Sequence, residues 1–162
     1  MARGTTAGSA EPVTKGEKHL NSQASKTQQN MNIAREFWFS MGHTLHDYNG
    51  KCANLHGHNY RLVVSVYTDE LDAQGMVLDF GDLKDIVSSV IDRDYDHRFL
   101  INEKDERAAP LKALDSTVAV VPFNPTAEML AGRIKEQIQA QLPDLTVSKL
   151  TLWETENSYA EI

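Results

Sequence analysis

Residues 37–60 read FWFSMGHTLHDYNGKCANLHGHNY. Apolar side chains alternate on both sides of a polar middle. Upstream, Ile33, Phe37, Phe39 and Met41 share one face of a strand that Arg35 interrupts, and His43 has the same parity. Downstream, Tyr60, Leu62, Val64 and Val66 share one face of a second strand, expected from about His58 to Thr68, and His56 and His58 have that parity too. Side chains two apart on a strand point the same way. His56 and His58 can therefore grip one ion together, with His43, thirteen residues earlier, as the third candidate ligand. Residues 44–55 form a polar loop that holds Asp47, Asn49, Gly50 and Asn54. The loop also carries Cys52, the only cysteine, and His46, a loop histidine that could stand in for His43.

Three neutral imidazoles suit zinc in tetrahedral geometry, and three protein ligands leave a fourth position for water or substrate. Gly57, between two of the ligands, fits close backbone approach. Cys52 lies beside Lys51 in the polar loop near the expected dication, surroundings that favour a thiolate. An open metal site beside a reactive sulfur points to an enzyme. The alternative is a closed structural site with Cys52 as fourth ligand. Asp96-His97 follows the expected first helix, and a carboxylate beside an imidazole can fix its tautomer. Glu154 lies on the apolar parity of Leu150 and Leu152. Burying a carboxylate unpaired is costly, so it is expected to meet N–H groups of a ligand.

The rest of the chain supplies a frame for these residues. Its 162 residues suit one domain, and 41% hydrophobic content supports a core. A net charge of −7 argues against non-specific nucleic-acid binding. A single cysteine fits a reducing cytoplasm, and no apolar run suggests a membrane span or a signal peptide. Residues 1–30 contain no aromatic residue and read as a disordered tail that includes His19, with the domain at 31–162. Leu83, Ile86, Val87, Val90 and Ile91 form a helical stripe over 82–93. Residues 99–123, with Pro110 and Pro122, read as a long irregular segment. Asn124-Pro125 reads as a cap and first residue of a second helix carrying Ala127, Leu130, Ala131, Ile134 and Ile138, ending near Pro143. A third strand follows around Leu150 and Leu152, and Ser158–Ile162 form a short fourth. The expected order is ββααββ, an α+β domain with an antiparallel four-stranded sheet covered on one face by two helices.

These motifs together resemble the 6-pyruvoyl-tetrahydropterin synthase / 6-carboxy-tetrahydropterin synthase family. The matching pieces are FSMGH (39–43), KCANLHGHNY (51–60), VLDFGDLK (77–84), YDHRFLIN (95–102), NPTAE (124–128) and WET (153–155). They run from about Ile33 to Ile162. The resemblance implies the tunnelling fold, in which sheets of several subunits join into a barrel, commonly as trimers or hexamers with active sites at subunit interfaces. It implies zinc on His43, His56 and His58, Cys52 as catalytic thiol, and Asp96 and His97 as the pair that activates it. It further implies Glu154 as pterin anchor and charge-relay partner of His97, with Thr126 and Glu128 at a helix start near the substrate. The Cys-x₃-His-x-His spacing is similar to the bacterial 6-carboxy-tetrahydropterin synthase branch, of the route to queuosine and related deazapurines. That branch turns 7,8-dihydroneopterin triphosphate into 6-carboxy-5,6,7,8-tetrahydropterin, acetaldehyde and triphosphate. Met41-Gly42 and the lengthened 103–123 segment depart from the family pattern. Lys51 and Arg98 are the basic residues expected to receive the triphosphate.

Overall fold

In the computed structural model, which describes residues 31–162 together with residues 1 and 4, β1 (Met31–His43) and β2 (His56–Thr68) pair antiparallel from end to end. The register sets His43 opposite His56 and Met41 opposite His58. The expectation for residues 1–30, His19 included, lies outside the described residues. The alternation read from sequence holds: Phe37, Phe39, Met41 and His43 on β1, and Tyr60, Leu62, Val64 and Val66 on β2, are buried on one side. Two helices cover that side. α1 (Phe80–Asp94) is capped by the Asp79 carboxylate, which accepts from the Gly81 N–H, and buries Leu83, Val87, Val90 and Ile91. Each such side chain contributes roughly 1.5–3 kcal/mol on burial.

The segment 99–123 is not irregular. It holds β3 (Phe99–Asn102), α2 (Ala108–Leu114) and β4 (Val118–Val121). Runs of four residues are too short to declare a period. Pro110 is the third residue of α2, inside the first turn, where its missing N–H costs nothing. β3 pairs parallel with β1 and β4 parallel with β3. After α3 (Ala127–Gln139), β5 (Thr146–Thr155) pairs antiparallel with β2, and β6 (Ser158–Glu161) with β5. Among the described residues the sheet is therefore six-stranded and mixed, in the order β4-β3-β1-β2-β5-β6, with three α-helices. This corrects the expected antiparallel four strands and two helices, while the α+β class stands.

The cap of α3 also differs from expectation. Thr126 is the N-cap, its hydroxyl accepting from the Met129 N–H. The Asn124 side chain instead accepts from the His46 N–H and donates to the His46 carbonyl, and so ties the loop after β1 to the start of α3.

Candidate functional site

The end of the β1–β2 hairpin brings three rings onto the helix-covered side of the sheet. Ring centroids lie 4.4 Å apart for His43 and His56, 5.3 Å for His43 and His58, and 5.0 Å for His56 and His58. β5 adds Glu154. Leu62 faces Leu152 across β2 and β5, so two residues further along each strand Tyr60 and Glu154 reach the same end. One ligand atom from each of His43, His56, His58 and Glu154 lies within 4.8 Å of the others. Cys52 is outside this group, which counts against a closed site with sulfur as fourth ligand.

The tautomers are fixed by the backbone. His43 Nδ1 lies 2.7 Å from the Pro125 carbonyl and His56 Nδ1 lies 2.8 Å from the Asn54 carbonyl. A carbonyl only accepts, so each Nδ1 carries the hydrogen and each Nε2 keeps its lone pair. Nε2 of all three rings is buried without a hydrogen-bond partner. Burial also holds the His58 imidazole below its ordinary pKa; Glu154 opposes this and the neighbouring rings reinforce it. The contact of His43 Nε2 with Glu154 Oε1, at 3.2 Å, is no hydrogen bond in this tautomer. A lone pair faces a carboxylate oxygen there, and only a cation or an added proton makes that favourable. The donor set therefore fits a divalent metal ion, and carbonyl-oriented imidazoles are how protein metal sites fix their ligands.

Around the cluster, Tyr60 packs its ring against those of His43 and His58, and its hydroxyl is buried without a partner. Burial pushes its phenol far above the ordinary range, with the charges of Glu154 and Cys52 adding to the effect. Cys52 lies half-buried in a single 3₁₀ turn, Lys51–Ala53, and its carbonyl accepts from the Leu45 N–H. Lys51 is exposed in the same turn. Glu128 is exposed in the first turn of α3, where a negative charge suits the helix dipole.

His97 Nδ1 lies 2.9 Å from the Asp96 carboxylate, with His97 in a left-handed conformation and its side chain 82% exposed. Burial pushes the Asp96 carboxyl up, but the Ser40 N–H and His97 outweigh it and hold it below the usual range. His97 shares a recess with Ser40, Met41, Gly42, Gly57, His58 and Asn59, so one imidazole of the cluster borders it. No described contact joins His97 to Cys52 within one chain. Arg98 follows and donates to the Arg93 carbonyl. Sequence reasoning missed Tyr60 as a neighbour of the cluster, the Pro125 and Asn54 carbonyls, and Arg107, which donates to the Ala53 carbonyl next to Cys52. Backbone acceptors leave no signature in a sequence.

A family model described as 6-pyruvoyl tetrahydropterin synthase matches residues 32–162. A Haemophilus influenzae protein named 6-carboxy-5,6,7,8-tetrahydropterin synthase is 40% identical over 136 residues, which span 80% of this chain and 96% of that protein. An Aquifex aeolicus protein of the same name is 33% identical over 155 residues, covering 80% and 95%. Among solved structures, the 6-pyruvoyl tetrahydropterin synthase of Caenorhabditis elegans aligns with a TM-score of 0.63 at 28% identity, covering 82% of this chain and 94% of that one. With all of the described fold but Met31 inside the matched region, the chain belongs to the 6-pyruvoyl tetrahydropterin synthase family.

Proposed function

We propose that this protein is a zinc-dependent 6-carboxy-5,6,7,8-tetrahydropterin synthase. It is a lyase that converts 7,8-dihydroneopterin triphosphate to 6-carboxy-5,6,7,8-tetrahydropterin, with release of acetaldehyde and triphosphate, on the route to queuosine and related deazapurines. The observation that carries the reading is the convergence of three buried, unpartnered Nε2 atoms at the end of one hairpin. It is joined by relatives of that name across most of the chain.

His43, His56 and His58 hold the ion, since an all-nitrogen set of this kind suits zinc. When bound, zinc supplies Lewis acidity toward the oxygens of the substrate side chain, which makes the adjacent C–H and O–H protons easier to remove. The chain's own groups do the rest. The Cys52 sulfur takes and returns a proton at the substrate side chain, in a reducing cytoplasm that keeps it a thiol. His97, its Nδ1 tied to Asp96, accepts the proton that Cys52 must lose. Because one chain does not bring His97 to Cys52, the pair is supplied by a neighbouring subunit of a trimer or hexamer. Glu154 accepts hydrogen bonds from the pterin ring N–H groups, a charge-assisted grip. Thr126 and Glu128 border the pocket just after Pro125, whose carbonyl holds His43. Lys51 beside Cys52 and Arg98 beside His97 receive the triphosphate.

Incubating the zinc-loaded protein with 7,8-dihydroneopterin triphosphate should yield acetaldehyde and the 6-carboxy product in equal amounts. Triphosphate release without acetaldehyde would assign the 6-pyruvoyl activity instead. No triphosphate release, with a metal needed only for folding, would mark a non-catalytic binding module.

A further inference from the structure

Arg107 stands immediately before α2, outside every role assigned above. It directs four of its five N–H donors inward. Nε and Nη2 donate to Asp105 at 2.9 and 2.6 Å, Nη1 donates to the Ala53 carbonyl at 3.0 Å, and Nη2 also donates to the Thr44 hydroxyl at 3.0 Å. The Thr44 hydroxyl in turn donates to the same Ala53 carbonyl at 2.9 Å. Thr44 follows the ligand His43, and Ala53 follows Cys52. The guanidinium thus fastens the end of β1 to the turn that carries the thiol.

That turn has little else to hold it. It is a single 3₁₀ turn with no side-chain cap and no buried residue. Its remaining ties to the end of β1 are the direct bond from the Thr44 hydroxyl to the Ala53 carbonyl and the bond from the Leu45 N–H to the Cys52 carbonyl. An exposed arginine–carboxylate pair contributes little by itself. Here the carboxylate is buried, and Arg107 holds it down to about 2, so the clamp stays charged throughout the neutral range.

We infer that Arg107 is a positioning residue for Cys52: acting through Thr44 and the Ala53 carbonyl, it sets where the thiol stands relative to the three imidazoles. The inference rests on the proposed role of Cys52 in proton transfer. It also gives the lengthened 103–123 segment a task, since that segment supplies both Arg107 and Asp105.

The test uses the zinc-loaded enzyme. Arg107→Ala should lower kcat about 10- to 100-fold, the cost of a misplaced reacting group, while KM stays within about threefold and zinc remains stoichiometric. Hydrogen exchange at the amides of Leu45, Ala53 and Asn54 should quicken, with the sheet unaffected. Added guanidinium ion should recover about tenfold in kcat by refilling the clamp, and Arg107→Lys should lie between Ala and wild type. A kcat within about twofold of wild type in Arg107→Ala overturns the inference. So does a loss that guanidinium does not relieve and that comes with zinc release or faster exchange throughout. If Arg107→Ala does not fold, Arg107→Lys decides by the same readouts. Cys52→Ala separates the two layers. Should that variant turn over substrate, the role of the thiol and this inference both fall; an inactive Cys52→Ala beside a fully active Arg107→Ala removes only the inference.

Discussion

Glu154 sits 3.2 Å from Nε2 of both His43 and His58, where it can serve as a fourth metal ligand or as the anchor of the pterin ring. Its carboxyl is held below the usual range by the adjacent His43 and by the charge the other imidazoles can carry, against the upward push of burial. It is therefore ionised at neutral pH in either duty. Glu154→Gln separates the duties, because the amide keeps the shape and loses the charge. As anchor, the residue contributes a charge-assisted bond of about 1.5–3 kcal/mol, so the variant should raise KM roughly 10- to 100-fold and leave zinc affinity within a few-fold. Steady-state kinetics and a zinc titration read the two quantities separately. A zinc affinity that falls in step with turnover makes Glu154 a ligand and closes the open position. Parity alone flagged this carboxylate on the apolar side of its strand. Its distance to the imidazoles needed the register between β2 and β5, which sequence does not give.

The hairpin is the element that builds the site, and its tightest point lies between Gly42 and Gly57, which pair directly. A Cβ at Gly57 would stand 2.9 Å from the Met41 carbonyl oxygen and 3.3 Å from Gly42 Cα, both backbone atoms that cannot swing aside. Gly57→Ala should therefore push β1 and β2 apart where His56 and His58 flank the substitution. A stability loss of about 1–3 kcal/mol is expected, together with weaker zinc binding; thermal melts with and without zinc measure both. A variant that melts and binds like wild type would mean that the hairpin end yields freely. The same element shows why the grouping of the three histidines was legible: a period of two in the sequence becomes a shared face in the structure. The segment 99–123 shows the limit. FLIN and VAVV are too short to betray a period, and Pro110 looks like a breaker until its place in the first turn of α2 is known. Asn124-Pro125 has the composition of a helix start, yet Asn124 serves the His46 loop and the cap falls to Thr126.

Across the described residues, α1 and α3 cover one side of the sheet, and on the other side α2 covers only the β3–β4 end. On that other side Trp38 is 67% exposed, and the Arg61 guanidinium stacks 4.4 Å from the Trp153 ring. A sheet with open edges and an exposed tryptophan beside them invites other chains. This agrees with the proposal that a neighbour supplies Asp96 and His97. On that proposal the meeting of His97 with Cys52 belongs to an assembly, which the sequence of one chain does not display. The edge itself can be tested at β6. Leu150 and Ile162 exchange both backbone hydrogen bonds, so by antiparallel alternation the Tyr159 N–H faces away from β5, toward the open edge. Tyr159→Pro removes that outward donor while sparing the bonds to β5, and an edge strand tolerates proline. Light scattering after size exclusion should show a trimer or hexamer for wild type and a monomer for Tyr159→Pro, which keeps its zinc and loses turnover. Tyr159→Ala is the control. It gives up the ring that lies 4.4 Å from Trp153 but keeps the donor, and should stay assembled and active. A wild-type chain that is monomeric at assay concentration and still turns over substrate would place the whole active site within one subunit, and His97 would then have to reach Cys52 by rearrangement of its own chain.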